Sequence, residues 1–210
     1  LGSRTARRFA PGFAPLAAFA VPQQPDFDAL APHCRTGERL HCVGWDGPTP
    51  AGWRVESQSM LCRMVWDARS PRGDASITTM RLMSPHLSQI LDVVERARPG
   101  PFGPRSLELG EYFGCFANGR LVAMAGERLQ AGDFREISGV CTDPDYRGQG
   151  LAQSLVSTLI RRQMERRETP LLHVRVENVD AHRLYQRMGF RDHCRQTVRV
   201  VSYLGEAQSR

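Results

Sequence analysis

The sequence predicts an α/β protein: a mixed, mostly antiparallel sheet with helices on both faces, plus a strand-rich N-terminal segment. Three observations support this fold class. From residue 77 onward, apolar residues recur with strand and helix periods in the order strand, helix, hairpin, strand, helix, strand, helix, strand. Turn-forming Gly, Pro and Asn separate these segments. Before residue 75 the chain is rich in Pro and Gly and shows no long helical pattern.

The N-terminal segment contains two predicted strands. They cover residues 37–46 and 52–68, and the turn-forming stretch GPTPAG joins them. A linker is predicted over 70–74, where the sequence reads SPRGD. The chain is therefore expected to divide into residues 1–75 and residues 76–205.

Local signals place the elements that follow. Ser84 is the predicted cap of the first helix, with a proline at the first helical position. The pair Asn118-Gly119 supplies the positive φ angles that a tight hairpin turn needs. Asp180 is the predicted cap of the last helix, which ends at Gly189. The predicted spans are a strand at 77–83, a helix at 85–98, a hairpin at 111–129, a strand at 133–142, a helix at 150–167, a strand at 169–178, a helix at 180–188 and a strand at 194–204.

The charged residues exclude several classes of protein. All 28 basic side chains are arginine, so Schiff-base catalysis, lysine-bound pyridoxal phosphate and a P-loop lysine are excluded. The net charge is +6, but the excess is spread along the chain. Aromatic residues make up only 8%, so a nucleic-acid partner is not expected. The arginines at 161–167 are typical of a helix C-terminus, where they complement the helix dipole.

The cysteines and the apolar runs bear on compartment and metal binding. Six cysteines are scattered without C-x-x-C or zinc-ligand spacing, so no metal is expected and a reducing cytoplasm is favoured. No apolar run reaches 18 residues, so neither a membrane-spanning helix nor a membrane partner is expected. Arg4, Arg7 and Arg8 precede an apolar run that loosely resembles a secretory signal. Pro11 and Pro15 interrupt this run, which argues against a signal.

The most informative stretch is GVCTDPDYRGQGLAQSLV, residues 139–156. A strand ends at Thr142, a short turn follows, and RGQGLA opens an amphipathic helix. Gly148 and Gly150 let the backbone approach a ligand closely. The N–H groups of the first helical turn, together with the helix dipole, form an anion site suited to phosphate. The stretch fits neither a P-loop nor a dinucleotide-binding fingerprint.

Two motifs together resemble one family. The arrangement R-x-x-G-x-A, directly after a strand, resembles the acyl-CoA-binding motif of the GNAT superfamily of N-acetyltransferases. About 30 residues later, ENVDAHRLYQRMGF (177–190) resembles the downstream signature of that superfamily. The segments GRLVAMAGERL and EISGVCTDPDYRG are most similar to its branch named for an FR-type fly protein. The resemblance covers residues 77 to about 204. It implies an acyl-CoA N-acyltransferase-like fold and transfer of an acetyl group from acetyl-CoA to a primary amine.

The resemblance also implies which residues contact the acyl donor. Backbone groups at the end of one strand would pair with the pantetheine arm, which runs like an extra strand between two splayed strands. Amides at the start of the following helix would hold the pyrophosphate, and Tyr185 would lie near the thioester sulfur and protonate it. The implied coenzyme-binding residues are Val140, Cys141, Thr142, Arg147, Gly148, Gln149, Gly150, Leu151, Ala152, Gln153 and Asn178.

The sequence offers several candidates for the general base. Glu136 lies on the strand that leads to the pantetheine contacts, and the period of a strand puts it on the same face as Val140. His173 is suited to proton transfer near neutral pH. Glu127 is a weaker candidate, and a water chain with no dedicated base is a further alternative. A covalent intermediate on Cys141 is disfavoured, because no histidine is placed by sequence to activate it.

The rest of the functional assignment rests on alternatives. The acceptor is expected to be a small-molecule or peptide amine. A non-catalytic acyl-CoA-binding or sensing protein is the alternative to an enzyme. Residues 1–75 are either a degenerate second copy of the fold or an extension that shapes the acceptor site or a homodimer contact.

Overall fold

A computed structural model describes residues 1–68, 70–71 and 77–205. By density of internal contacts the chain forms two compact units. One consists of Leu1–Leu61 with the chain from Arg195 onward, and the other of Cys62–Cys194. Most of the linker predicted at 70–74, and the boundary predicted after residue 75, lie outside the described residues. The division into 1–75 and 76–205 therefore stays a prediction.

Within the described ranges the chain forms ten strands and four α-helices. In chain order they are β1 (Ala6–Arg8), β2 (Leu16–Phe19), α1 (Phe27–Leu30), β3 (Arg39–Val43), β4 (Trp53–Trp66), β5 (Met80–Arg81), α2 (Leu87–Ala97), β6 (Tyr112–Ala117), β7 (Arg120–Ala131), β8 (Phe134–Thr142), α3 (Leu151–Glu165), β9 (Thr169–Arg175), α4 (Val179–Met188) and β10 (Phe190–Tyr203).

The unit that contains the N-terminus is built on strands in the order β1-β2-β3-β10-β4. The sequence predicted β3 and β4 but missed β1 and β2. Strand β1 shows no apolar alternation in the sequence, because one of its buried positions holds an arginine. Arg8 is buried and forms a bidentate ion pair with Glu38 at 2.5 Å. Phe27 packs between Trp45 and Trp53, and the centroid of its ring lies 4.9 Å from the ring centroid of each tryptophan.

The second unit carries the mixed sheet that the sequence predicts. Its strands follow the order β9-β8-β7-β6-β5, in which only β8 and β9 are parallel. Helices α3 and α4 pack into one core cluster, and α2 packs into another. The hairpin of β6 and β7 turns at Asn118 and Gly119, with φ angles of 50° and 76°. The predicted fold class is therefore confirmed.

Several boundaries differ from the prediction; for example, the last strand begins at residue 190 and not at 194. Helix α2 begins only at Leu87, because Ser84–His86 forms a separate 3-10 turn in front of it. The cap of α4 is Asn178, whose Oδ1 accepts the N–H of Ala181 at 3.2 Å. Asp180 instead lies in the first turn, where its charge favours the positive end of the helix dipole. Of the strand predicted at 77–83, only the two residues of β5 pair with β6. Across the described residues, no helix has both the length and the apolar character to cross a membrane.

Candidate active site

Strands β8 and β9 separate partway along their length. Their parallel ladder joins residues 134–137 to residues 169–172. Both strands then continue, β8 to Thr142 and β9 to Arg175. The backbone of 139–142 therefore makes no ladder pair with β9, although buried backbone groups normally find partners. An extended ligand with amide groups is suited to this open edge, because it would pair as an added strand.

A β-bulge at Gly139 changes the face of the sheet toward which the following side chains of β8 point. Between the paired residues Gly126–Ser138 and Met124–Cys141, β8 has one more residue than β7. Gly139 takes up the extra residue with a φ of 62°. Ile137 and Val140 consequently pack against the same core cluster, although they are three residues apart. The expectation that Glu136 shares a face with Val140 is therefore wrong, because the bulge shifts the alternation by one residue.

A buried carboxylate fixes the turn that follows β8. Asp143 is buried and binds Arg96 of α2 at 2.7 Å as well as Arg120 of β7. The second oxygen of Asp143 accepts the N–H of Asp145 at 3.2 Å. These contacts hold the 3-10 turn Pro144–Tyr146 at the end of β8. The loop from 147 to 150, which leads into α3, therefore begins at a turn that these hydrogen bonds and ion pairs hold in place.

This loop presents backbone to open space. Gly148 and Gly150 both have a φ of 76°, and a Cβ added to Gly148 would meet no atom within 4 Å. Gly150 is the N-cap of α3 and has no side chain with which to cap the first-turn N–H groups. Arg147 is exposed. The geometry suits a phosphate-bearing ligand at the N-terminus of a 15-residue helix.

The remaining coenzyme-binding residues predicted from sequence fall in the same region. Arg147, Gly148, Gln149 and Gly150 form the exposed loop, Leu151, Ala152 and Gln153 form the first turn of α3, and Val140, Cys141 and Thr142 end β8. Asn178 is exposed at the start of α4. Its Oδ1 accepts the hydrogen bond that caps the helix, and the side-chain NH₂ group takes no part in that hydrogen bond.

Tyr185 of α4 belongs to the core cluster against which Val140 of β8 packs. Its side chain is buried and packs edge-on against Phe190 at 5.9 Å between ring centroids. Burial, with a contribution from Cys141, raises the pKa of Tyr185 to about 12. The hydroxyl is therefore protonated at neutral pH, which is the state that a proton donor requires. Burial likewise raises the pKa of Cys141 to about 12, so this thiol is a poor nucleophile.

Two candidate bases are in direct contact. His173 Nδ1 lies 2.9 Å from Glu136 Oε1, and Arg128 binds both oxygens of Glu136, at 3.0 and 2.7 Å. Although burial opposes ionisation, the hydrogen bonds from His173 and Arg128 lower the pKa of Glu136 to about 2. An ionised carboxylate only accepts hydrogen bonds, so Nδ1 of His173 must donate. In the neutral form of the imidazole, the lone pair is therefore on Nε2.

His173 points away from the core cluster of α3. Its neighbours Leu172 and Val174 pack in that cluster, so the alternation of β9 puts His173 on the other face of the sheet. Because Ile137 is paired with Leu172, His173 lies level with Ser138. This is three residues, or roughly 10 Å of strand, before Cys141.

Glu127 and Arg128 are adjacent on β7 and have different partners. Glu127, the weaker candidate base, is buried in a separate network and accepts from Gln163 at 3.0 Å, from Arg166 and from the N–H of Glu111 at 3.0 Å. Arg128 was missed in the sequence, because nothing in a linear pattern pairs it with a carboxylate on the next strand. Arg128 is the charged partner of Glu136, which in turn contacts His173.

The chain is similar to a family model and to several proteins of known structure. Residues 112–200 match the family model described as FR47-like protein. A GNAT-family protein of known structure from Novosphingobium aromaticivorans is 31% identical to this chain. The match covers 98% of this chain and 90% of that one, with a TM-score of 0.85. The chain therefore belongs to the GNAT family of acetyltransferases. Membership of this family makes acyl transfer its general activity.

More distant structures share the fold. A GCN5-related N-acetyltransferase from Kribbella flavida is 20% identical, with a TM-score of 0.58 over 96% of this chain and 91% of that one. The ribosomal-protein-S18-alanine N-acetyltransferase from Escherichia coli is 23% identical, with a TM-score of 0.51 over 63% of this chain and 96% of that one. No curated protein matches the sequence significantly.

Proposed function

We propose that the protein transfers an acetyl group from acetyl-CoA to a primary amine by direct attack in a ternary complex. One observation carries the proposal. The edge of β8 at 139–142 that does not pair with β9 leads into the glycine loop of α3, and Tyr185 belongs to the core cluster against which Val140 packs. An edge for amides, an anion site for phosphates and a buried proton donor match the three parts of an acyl-CoA.

The donor is bound mainly by backbone. The amides of the pantetheine arm pair with Val140, Cys141 and Thr142 along the open edge of β8. The pyrophosphate takes the N–H groups from Gly148 onward at the start of α3, where the helix dipole also favours negative charge. The exposed Arg147 adds a cation for the phosphates, and the side-chain NH₂ of Asn178 contacts the coenzyme arm. No metal is needed for this binding.

The reaction needs one base and one acid. His173 Nε2 accepts a proton from the attacking amine, and the amine nitrogen forms a bond to the thioester carbon. A backbone N–H at the bulge, near Val140, stabilises the oxyanion. The carbon–sulfur bond then breaks, and Tyr185 gives its proton to the leaving sulfur. Glu136 holds and orients His173, since a carboxyl with a pKa of about 2 is itself a weak base.

A turnover measurement on Tyr185→Phe tests the proposal. The variant keeps the ring in place and removes the proton donor. We expect kcat to fall about 100-fold, while the Kd for acetyl-CoA, measured by calorimetry, changes by less than about twofold. Release of CoA thiol across a panel of amines reports turnover. Tyr203→Phe is the matched control, because Tyr203 packs against Trp53 in the other unit.

Three outcomes would contradict the proposal. Absence of acetyl-CoA binding at millimolar concentration removes the donor. Equal turnover of Tyr185→Phe and the unsubstituted protein removes Tyr185 from the reaction. Binding without thiol release for any amine favours an acyl-CoA sensor over an enzyme.

The acceptor and the compartment complete the proposal. The acceptor is a small-molecule or peptide amine, which the amine panel identifies by class. The protein is assigned to the cytoplasm, since its six cysteines, all of them among the described residues, form no disulfide.

A further inference from the structure

Three potential metal ligands meet away from the acyl-transfer site. They are Cys62 of β4, His182 of α4 and Asp192 of β10, and their ligand atoms lie within 4.8 Å of one another. His182 Nε2 and Asp192 Oδ1 are 2.8 Å apart. The thiol is buried, the imidazole is half-buried and the carboxylate is exposed. All three residues belong to the unit Cys62–Cys194.

We propose that these three side chains bind a zinc-type divalent cation. A thiolate, an imidazole and a carboxylate are the ligand set that zinc prefers, at bond lengths of about 2.0–2.3 Å. Tetrahedral bonds of that length separate ligand atoms by roughly 3.3–3.8 Å, so the cluster needs only small side-chain movements. Magnesium and calcium require oxygen ligands, which argues against them here.

The arrangement indicates an open coordination site. Three protein ligands leave the fourth position to water, and the exposed Asp192 gives the ion a path from solvent. The ligands stand 120 and 10 residues apart along the chain, which is why zinc-ligand spacing did not reveal them in the sequence. The expectation that no metal binds rested on that spacing alone.

The site would also stabilise the helix that carries Tyr185. His182 lies one turn before Tyr185 on α4, so an ion bound to Cys62 and Asp192 ties this helix to β4 and β10. A ligand that binds only the folded protein raises its stability by mass action. The cation is therefore expected to stabilise the structure without taking part in acyl transfer.

Cobalt(II) spectroscopy on the full chain tests this site. Chelator-treated protein is titrated with Co²⁺, which replaces zinc and reports thiolate ligation by a charge-transfer band. We expect a one-to-one band that Zn²⁺ displaces. The band should vanish in Cys62→Ser, and the cobalt Kd should rise at least about tenfold in His182→Gln and Asp192→Asn. Zinc should raise the melting temperature of the unsubstituted protein but not that of His182→Gln.

Neighbouring residues supply matched controls. His193→Gln and Cys194→Ser alter the two residues that follow Asp192 and should leave the band unchanged. Absence of a thiolate band in the unsubstituted protein overturns the proposal, as does a band that persists in Cys62→Ser. A Kd unchanged in both His182→Gln and Asp192→Asn also overturns it, and neither position is buried in the core, so the variants should fold. None of these outcomes depends on acetyl-CoA binding, so the zinc site and the proposed activity are tested separately.

Discussion

Two buried glutamates on adjacent strands have different surroundings. Glu127 on β7 and Glu136 on β8 are 1% and 2% exposed, and both are ion-paired to arginine. The partners of Glu127 are Arg166, Arg135, Gln163 and a backbone N–H, and none of these exchanges protons near neutral pH. Glu136 instead contacts His173, which is 19% exposed.

The comparison shows that burial and charge pairing do not by themselves mark a catalytic group. A buried carboxylate whose donors are arginine, amide or backbone N–H groups holds secondary-structure elements together. Glu127 joins α3 to β7 in this way. A buried carboxylate that orients a titratable side chain can tune that side chain for proton transfer. The second member of the pair decides the role. Glu127 is therefore expected to govern stability, and Glu136 is expected to act through His173.

The largest expected effect is a loss of stability in Glu127→Gln. Both oxygens of Glu127 accept hydrogen bonds, Oε1 from Gln163 and Oε2 from the N–H of Glu111. In either orientation the NH₂ group of glutamine would face a donor, and the negative charge that pairs with Arg166 would be lost. Breaking such a buried pair costs about 4 kcal/mol, which urea unfolding would measure. Turnover per folded molecule should be unchanged, and a parallel loss of kcat would give Glu127 a role in catalysis.

The second prediction concerns the acid range. The pKa of Glu136 is about 2 in the folded protein and near 4.5 when unfolded, so its ion pairs stabilise the fold fully above pH 4.5. This stability is lost as pH falls toward 2 and amounts to about 3 kcal/mol. The difference in unfolding free energy between the unsubstituted protein and Glu136→Gln should therefore shrink by that amount between pH 5 and pH 2. A difference that stays constant with pH would show that Glu136 is not held ionised by its partners.

Sequence patterns were sufficient for the sheet and helices of the second unit, because each element has an apolar period and a turn signal of its own. The hairpin at Asn118-Gly119 is an example, since two adjacent residues determine the turn. Capping was less predictable. Asn178 and Asp180 are both good caps and lie two residues apart, and only the tertiary path of the chain selects Asn178.

Features that depend on contacts between distant segments were not predictable. The bulge at Gly139 is invisible in a period-2 pattern, because only the partner strand shows that β8 has one residue more. The pairing of Arg128 with Glu136, and of Glu136 with His173, likewise depends on strand register. The sequence named Glu136 and His173 as alternatives, whereas the structure puts them in one hydrogen-bonded pair.

The smallest of the three effects is expected for His173→Gln, and it tests the division of roles most directly. Glutamine retains a polar side chain that can donate to Glu136, so the buried ion pair with Arg128 is preserved and stability should change little. It provides no group that accepts a proton near neutral pH, so kcat at saturating amine should fall about 100-fold. The rate should also become first order in hydroxide over a wide pH range, because only amine that is already deprotonated can attack. Glu127→Gln is the control, since it alters the other buried glutamate. If His173→Gln kept full turnover and the original pH profile, a water chain would replace His173 as the base, and Glu136 would be as structural as Glu127.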